Sequence, residues 1–201
     1  MTTNGYVPSA GHPRDTPPVA ALTTIFTPPA SCLETLFVEY YMRGDSTDSL
    51  GNTHLTLGLM SMSECFPVSY SEQYWKSNVG YYSPAVCPSG YTSACDVLHV
   101  STDGLLWGPS LLPSETAYKC CPFGYSCDLS SDNQDVCWSI LSTSTTAVSH
   151  DFAEIGSRTS LGPIMTVTST PIYVEAYAIQ VRFQPSDLSI LPPSITSMDP
   201  S

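Results

Sequence analysis

Eight cysteines, Cys32, Cys65, Cys87, Cys95, Cys120, Cys121, Cys127 and Cys137, hold most of the chemistry that this 201-residue sequence offers. An even number suits a disulfide framework, which persists in oxidising compartments and compensates for a modest core. Structural zinc is the competitor. It favours ligands two to four residues apart, as in Cys-x-x-Cys, and no such pair occurs; His12, His54, His99 and His150 are dispersed too. Disulfides are therefore the leading reading, and no metal or other cofactor is expected. Adjacent Cys120 and Cys121 are expected to take different partners and mark the crossing of two bridges. The full connectivity stays open.

Other constellations carry less. Tyr70, Tyr74, Trp75, Tyr81 and Tyr82 form an aromatic cluster that could stack on sugar rings if exposed. Packing around the cysteines is the plainer account, because aromatic rings usually bury their area. Asp128, Asp132, Asn133 and Asp135 crowd oxygen ligands together, but the glycine and terminal glutamate of a calcium-binding EF-hand loop are missing. A solvated acidic loop fits better. Arg43-Gly44-Asp45 has the composition of any turn. His99 lies near Asp96 and Asp103, and His150 precedes Asp151, yet adjacency is not triad geometry. With no Gly-x-Ser-x-Gly elbow, both read as surface histidines. Eighteen acids make an accidental carboxylate pair easy to find, so glycoside hydrolysis has no specific signal. No catalytic constellation emerges, and a non-enzymatic protein is expected.

Composition narrows the partners. Six Lys and Arg against eighteen Asp and Glu give a formal net charge of -12. That surface repels polyanions, which argues against nucleic acid and against a polybasic membrane patch. A hydrophobic content of 42% argues against wholesale disorder. No window approaches the roughly 20 apolar residues of a membrane-spanning helix. No signal peptide is visible: the best apolar run before Cys32, Val19 to Leu22, falls short of the roughly 7–15 residues required. The expectation of an extracellular or cell-surface location rests on the cysteines.

The elements that must position these groups read as mainly β. Residues 1–21 are Pro-rich without a period, a disordered arm. Residues 22–140 form a small disulfide-stapled β domain; Leu33–Met42 and His54–Met60 read as short strands, with a helix the alternative for the first. Residues 141–163 open Ser/Thr-rich and read as a linker that could carry O-linked sugars; no Asn-x-Ser/Thr sequon occurs. Residues 164–187 hold C-terminal strands that pack on the Cys-rich domain and complete its sheet. There Tyr173, Tyr177, Ile179, Val181 and Phe183 are expected to share one apolar face. Residues 188–201 are a disordered tail.

An internal echo links two of the cysteines. Cys87-Pro88-Ser89-Gly90-Tyr91 recurs as Cys121-Pro122-Phe123-Gly124-Tyr125. Proline fixes φ and glycine can take φ > 0, so each copy predicts a tight turn, the first closed by Cys95 and the second by Cys127. Together with LTTIFTPPASC (Leu22–Cys32), YYSPAVCPSGYTSAC (Tyr81–Cys95), ETAYKCCPFGYSC (Glu115–Cys127) and AYAIQVRFQPSDL (Ala176–Leu188), these turns resemble a group of fungal Cys-rich surface or secreted proteins. That group shares an F-T-P-P-x-x-C opening, C-P-x-G-Y turns, a C-C-P-x-G-Y-x-C element and an A-Y-x-I-Q-x-R-F-Q segment. The resemblance implies an ectodomain but no particular activity. The expected role is a non-enzymatic extracellular or cell-surface structural or recognition module, with cell-wall polysaccharide or another surface protein as partner. A secreted effector-like protein, a carbohydrate-binding module or a carbohydrate-active enzyme are the alternatives.

Overall fold

In the Ile-Tyr-Val-Glu-Ala-Tyr run of Ile172–Tyr177, Ile172, Val174 and Ala176 are almost completely buried while Tyr173, Glu175 and Tyr177 are half-buried. This period of two makes a strand that packs one side on a core. The computed structural model describes residues 18–40, 53–59, 61–70, 80–97, 111–127, 136–151, 160–168 and 170–192. Within them a one-turn helix α1 (Ser31–Glu34) is followed by β1 (Leu36–Tyr40), β2 (Thr53–Leu57), β3 (Tyr91–Asp96), β4 (Thr116–Pro122) and β5 (Ser126–Cys127). After these come β6 (Val136–Leu141), β7 (Thr145–Asp151), β8 (Ser160–Val167), β9 (Ile172–Tyr177) and β10 (Ile179–Phe183). The protein is mainly β, stapled by disulfides.

Seven strands form one sheet in the order β5-β6-β9-β2-β1-β7-β8, and three form a second in the order β10-β4-β3. In the larger sheet β9 runs parallel to β2, and β1 parallel to β7. Its inner face supplies Val38, Leu55, Leu57, Ala147, Val167, Ile172, Val174 and Ala176 to one core, joined by Cys121 and Cys137. The smaller sheet supplies Cys120, Ile179 and Val181 to a second core with Cys32, Cys65, Phe66, Tyr70, Tyr82 and Ala85.

All eight cysteines are paired: Cys32–Cys65, Cys87–Cys120, Cys95–Cys127 and Cys121–Cys137. Cys120 and Cys121 do take different partners. Neighbours on a strand point to opposite faces, so on β4 one sulfur enters each core. The bridges correct one detail of the turn reading. Neither Cys-Pro-x-Gly-Tyr copy closes on itself; Cys87–Cys120 and Cys95–Cys127 run from the first copy's segment to the second's.

Other boundaries shift. Residues 141–163 are not a linker throughout, because β7 lies inside the large sheet, between β1 and β8. Alternation places Ala147 in the core, which a Ser/Thr-rich composition hides. Tyr173 and Tyr177 belong to the large sheet and Ile179, Val181 and Phe183 to the small one, although Tyr177 still packs against the core that Ile179 and Val181 enter. Ala178 separates β9 from β10, and the chain changes sheets there. The arm reading fails for residues 18–21. The Val19 N–H donates to the Tyr81 carbonyl at 2.8 Å and the Leu22 N–H to that of Pro84 at 2.9 Å, while Ser83 N–H returns a bond to Ala20 at 3.0 Å. Residues 81–85 pair in turn with β10, so 18–22 become an outer ribbon on the small sheet. At the other end Pro185–Ser189 form a 3-10 turn and Leu191 is buried, so the tail begins later than expected. Residues 1–17 and 193–201 lie outside the described residues.

Candidate functional site

The two repeated turns stand side by side and build the rim of a cavity. In each, the proline carbonyl accepts the tyrosine N–H, at 3.1 Å for Pro88–Tyr91 and 3.0 Å for Pro122–Tyr125. Gly90 has φ +82° and Gly124 φ +83°, the left-handed conformation that a type II turn demands of its third residue. The Phe123 N–H donates to the Gly90 carbonyl at 3.1 Å, tying one turn to the other. A Cβ at Gly90 would run into the Leu33 side chain, whereas nothing lies within 4 Å of the position at Gly124.

Behind the first turn is a cavity of about 310 Å³. Val86, Val181, Phe183 and Tyr118 form apolar walls, Cys87 brings in its disulfide, and Ser89, Ser93 and Tyr91 supply polar groups. Phe123, 70% exposed, and Ile25, 44% exposed, sit at the mouth. Tyr118 and Phe183 are ring neighbours at 6.1 Å. Burial, with a smaller push from Tyr125, raises the Tyr91 phenol to about 12, so it is a neutral hydroxyl at physiological pH. Among the described residues, the lining holds no carboxylate, imidazole, amine or guanidinium. Such a site can desolvate an uncharged apolar group and orient it through one or two hydroxyls.

Of the aromatic cluster marked in the sequence, Tyr74 and Trp75 lie outside the described residues. Tyr70, Tyr81 and Tyr82 are buried at 9%, 8% and 1% exposure, inside the fold. The Tyr70 hydroxyl donates to the Ala178 carbonyl at 2.7 Å, and that of Tyr82 to the Val68 carbonyl at 2.9 Å. Tyr70 also stacks on Phe66 at 4.6 Å. Tyr81 lies under Arg182, whose guanidinium carbon is 4.1 Å from the ring centroid. The eight cysteines are brought together as bridges. His150 is not the surface histidine expected: it is 1% exposed on β7, edge-on to Phe37 at 6.5 Å. His99, Asp103, the 128–135 acidic loop and Arg43-Gly44-Asp45 lie outside the described residues.

Sequence reasoning found the turns and missed the cavity they frame. Its walls come from four separate stretches, and Val86, Val181 and Phe183 are indistinguishable in sequence from ordinary core. The one available signal was the repeated Pro-x-Gly-Tyr with an aromatic at x in the second copy. No family model matches the chain, and neither a characterised protein nor a solved structure is detectably similar to it. The four disulfides are compatible with an extracellular location. Among the described residues no helix is long and apolar enough to cross a membrane.

Proposed function

We propose that this chain is a non-enzymatic extracellular or cell-surface recognition module that takes a small, uncharged, ring-bearing apolar ligand at the cavity behind the Cys87–Tyr91 turn. The observation that carries this reading is an apolar recess without charged lining in a chain of net charge -12. Water in an apolar recess makes few hydrogen bonds, so an apolar group that displaces it gains free energy. Four bridges keep such a recess shaped without a large core. The likeness of its Cys-Pro-x-Gly-Tyr turns to fungal surface and secreted proteins supports the same compartment.

The test uses N-phenyl-1-naphthylamine, a neutral fluorescent probe, titrated into the disulfide-intact chain. Saturable one-to-one binding is expected, lost in Ser93→Phe, which places a ring in the recess from a strand that accepts aromatic residues. Binding that is absent, or unchanged in that variant with its melting midpoint retained, refutes the assignment. Adsorption of the chain to insoluble chitin or glucan without probe binding would favour a carbohydrate-binding module instead.

A further inference from the structure

Two of the bridges touch. Cys121 Sγ lies 3.8 Å from Cys127 Sγ, though each belongs to a different disulfide. Cys127 on β5 is also the direct cross-strand partner of Cys137 on β6. Four sulfurs from four strands, β3 to β6, are thus gathered at one joint between the two sheets.

The two bridges differ in access. Cys95 and Cys127 are both partly exposed, whereas Cys121 and Cys137 are fully buried at 0% exposure. Of the four bridges, Cys95–Cys127 alone has both of its cysteines partly exposed. By residue exposure the outer bridge is therefore the more accessible of the two to a thiol from solvent, and Cys127 is the sulfur of that bridge that touches the inner one. Strand β5 is two residues long and, among the described residues, pairs with β6 alone in the large sheet.

We propose that this joint is a thiol-modification site, an exchange relay opened by an external dithiol. One thiolate of the dithiol attacks Cys95 Sγ, forms a mixed disulfide there and breaks Cys95–Cys127, leaving Cys127 as thiolate. Cys127 then attacks Cys121 Sγ, forms Cys121–Cys127 and breaks Cys121–Cys137, expelling the Cys137 thiolate. The second thiol of the dithiol displaces Cys95 and leaves as a cyclic disulfide. The dithiol loses two electrons, and its two protons end on Cys95 and Cys137. The new bridge closes Cys121-Pro-Phe-Gly-Tyr-Ser-Cys127 on itself and unties β3 and β6 from the joint. The proposal does not rest on the ligand reading, and it leaves the cavity's own Cys87–Cys120 bridge intact.

The test is graded reduction of the native full chain with dithiothreitol, acid quenching, alkylation and peptide mapping by mass spectrometry. The first species with two labelled cysteines is expected to carry them on Cys95 and Cys137, with a Cys121–Cys127 cross-linked peptide. Labels on Cys95 and Cys127 with Cys121–Cys137 intact would overturn the relay. So would earlier opening of Cys32–Cys65 or Cys87–Cys120, or no labelling short of global unfolding. A Cys95→Ser chain gives a second readout without reductant: its single free thiol should appear on Cys137, and a thiol that stays on Cys127 counts against the proposal. Should that variant not fold, graded reduction of the unaltered chain decides alone.

Discussion

Arg182 Nη1 sits 3.6 Å from Glu115 Oε2, with the two side chains only 2% and 6% exposed. Arg182 lies on β10 and Glu115 immediately precedes β4, its neighbour in the small sheet. Glu115 Oε2 also accepts the Leu112 N–H at 2.9 Å, and Tyr81 lies against the guanidinium. Burial draws Arg182 below its ordinary pKa, and Glu115 and Tyr81 oppose that pull. Removing one partner leaves an uncompensated buried charge, which costs about 3–5 kcal/mol. Glu115→Ala should lose stability on that scale in urea unfolding. The double change Glu115→Leu with Arg182→Met should lose less than Glu115→Ala does, because no charge is then stranded.

Gly90 and Gly124 separate backbone strain from steric collision. Both have nearly the same positive φ, so an alanine at either pays the left-handed penalty of about 1–2 kcal/mol. At Gly90 the new methyl also meets Leu33. Chemical denaturation should place Gly90→Ala clearly below Gly124→Ala, and equal losses would show that Leu33 moves aside at little cost.

The outer ribbon of residues 18–22 contributes three backbone hydrogen bonds and packs Val19, Ala20 and Leu22 on the second core. At about 1 kcal/mol net for each hydrogen bond, a chain beginning at Thr23 should be destabilised by about 3 kcal/mol or more. A chain beginning at Pro18 keeps all of those contacts. Thermal melts of the two truncations should differ by several degrees.

Alkaline pH should unfold the protein through its buried phenols. Tyr91 and Tyr125 are each raised by burial from 10.0 to about 12, Tyr91 also by Tyr125. The unfolded chain releases those protons first, so their contribution is complete below pH 10 and is lost as pH climbs towards 12. Melting midpoints measured across that window should fall, and Tyr91→Phe should make the fall shallower.

Removing a bridge tests the scaffold. Cys32–Cys65 spans a sequence separation of 33 residues, for which loop-closure entropy gives about 4 kcal/mol. The double change Cys32→Ser with Cys65→Ser should cost that order in denaturant unfolding. A midpoint unmoved by the change would mean that the local packing of Phe66 and Tyr70 already holds this corner.

Cysteine number and turn chemistry were legible in the sequence because both are local or compositional. An even set without metal-type spacing implied bridges. Cys-Pro-x-Gly-Tyr implied a turn with positive φ at glycine, and β4 needed only period two to send Cys120 and Cys121 apart. The same locality misled elsewhere. Thr145–Asp151 looked like a spacer because Ser and Thr dominate the residues around it, although Ala147, Ser149 and His150 are all buried. Tyr173 and Phe183 were assigned to one face because nothing near Ala178 announces a change of sheet.

Residue chemistry therefore determined that this chain is a β protein held by four disulfides, since oxidation state and backbone preference are settled by residue type and spacing over a few positions. Which sulfur meets which, where the ligand-sized recess opens and why two bridges touch were decided by strand order. Strand order depends on contacts between segments tens of residues apart, and these form only when both cores close together.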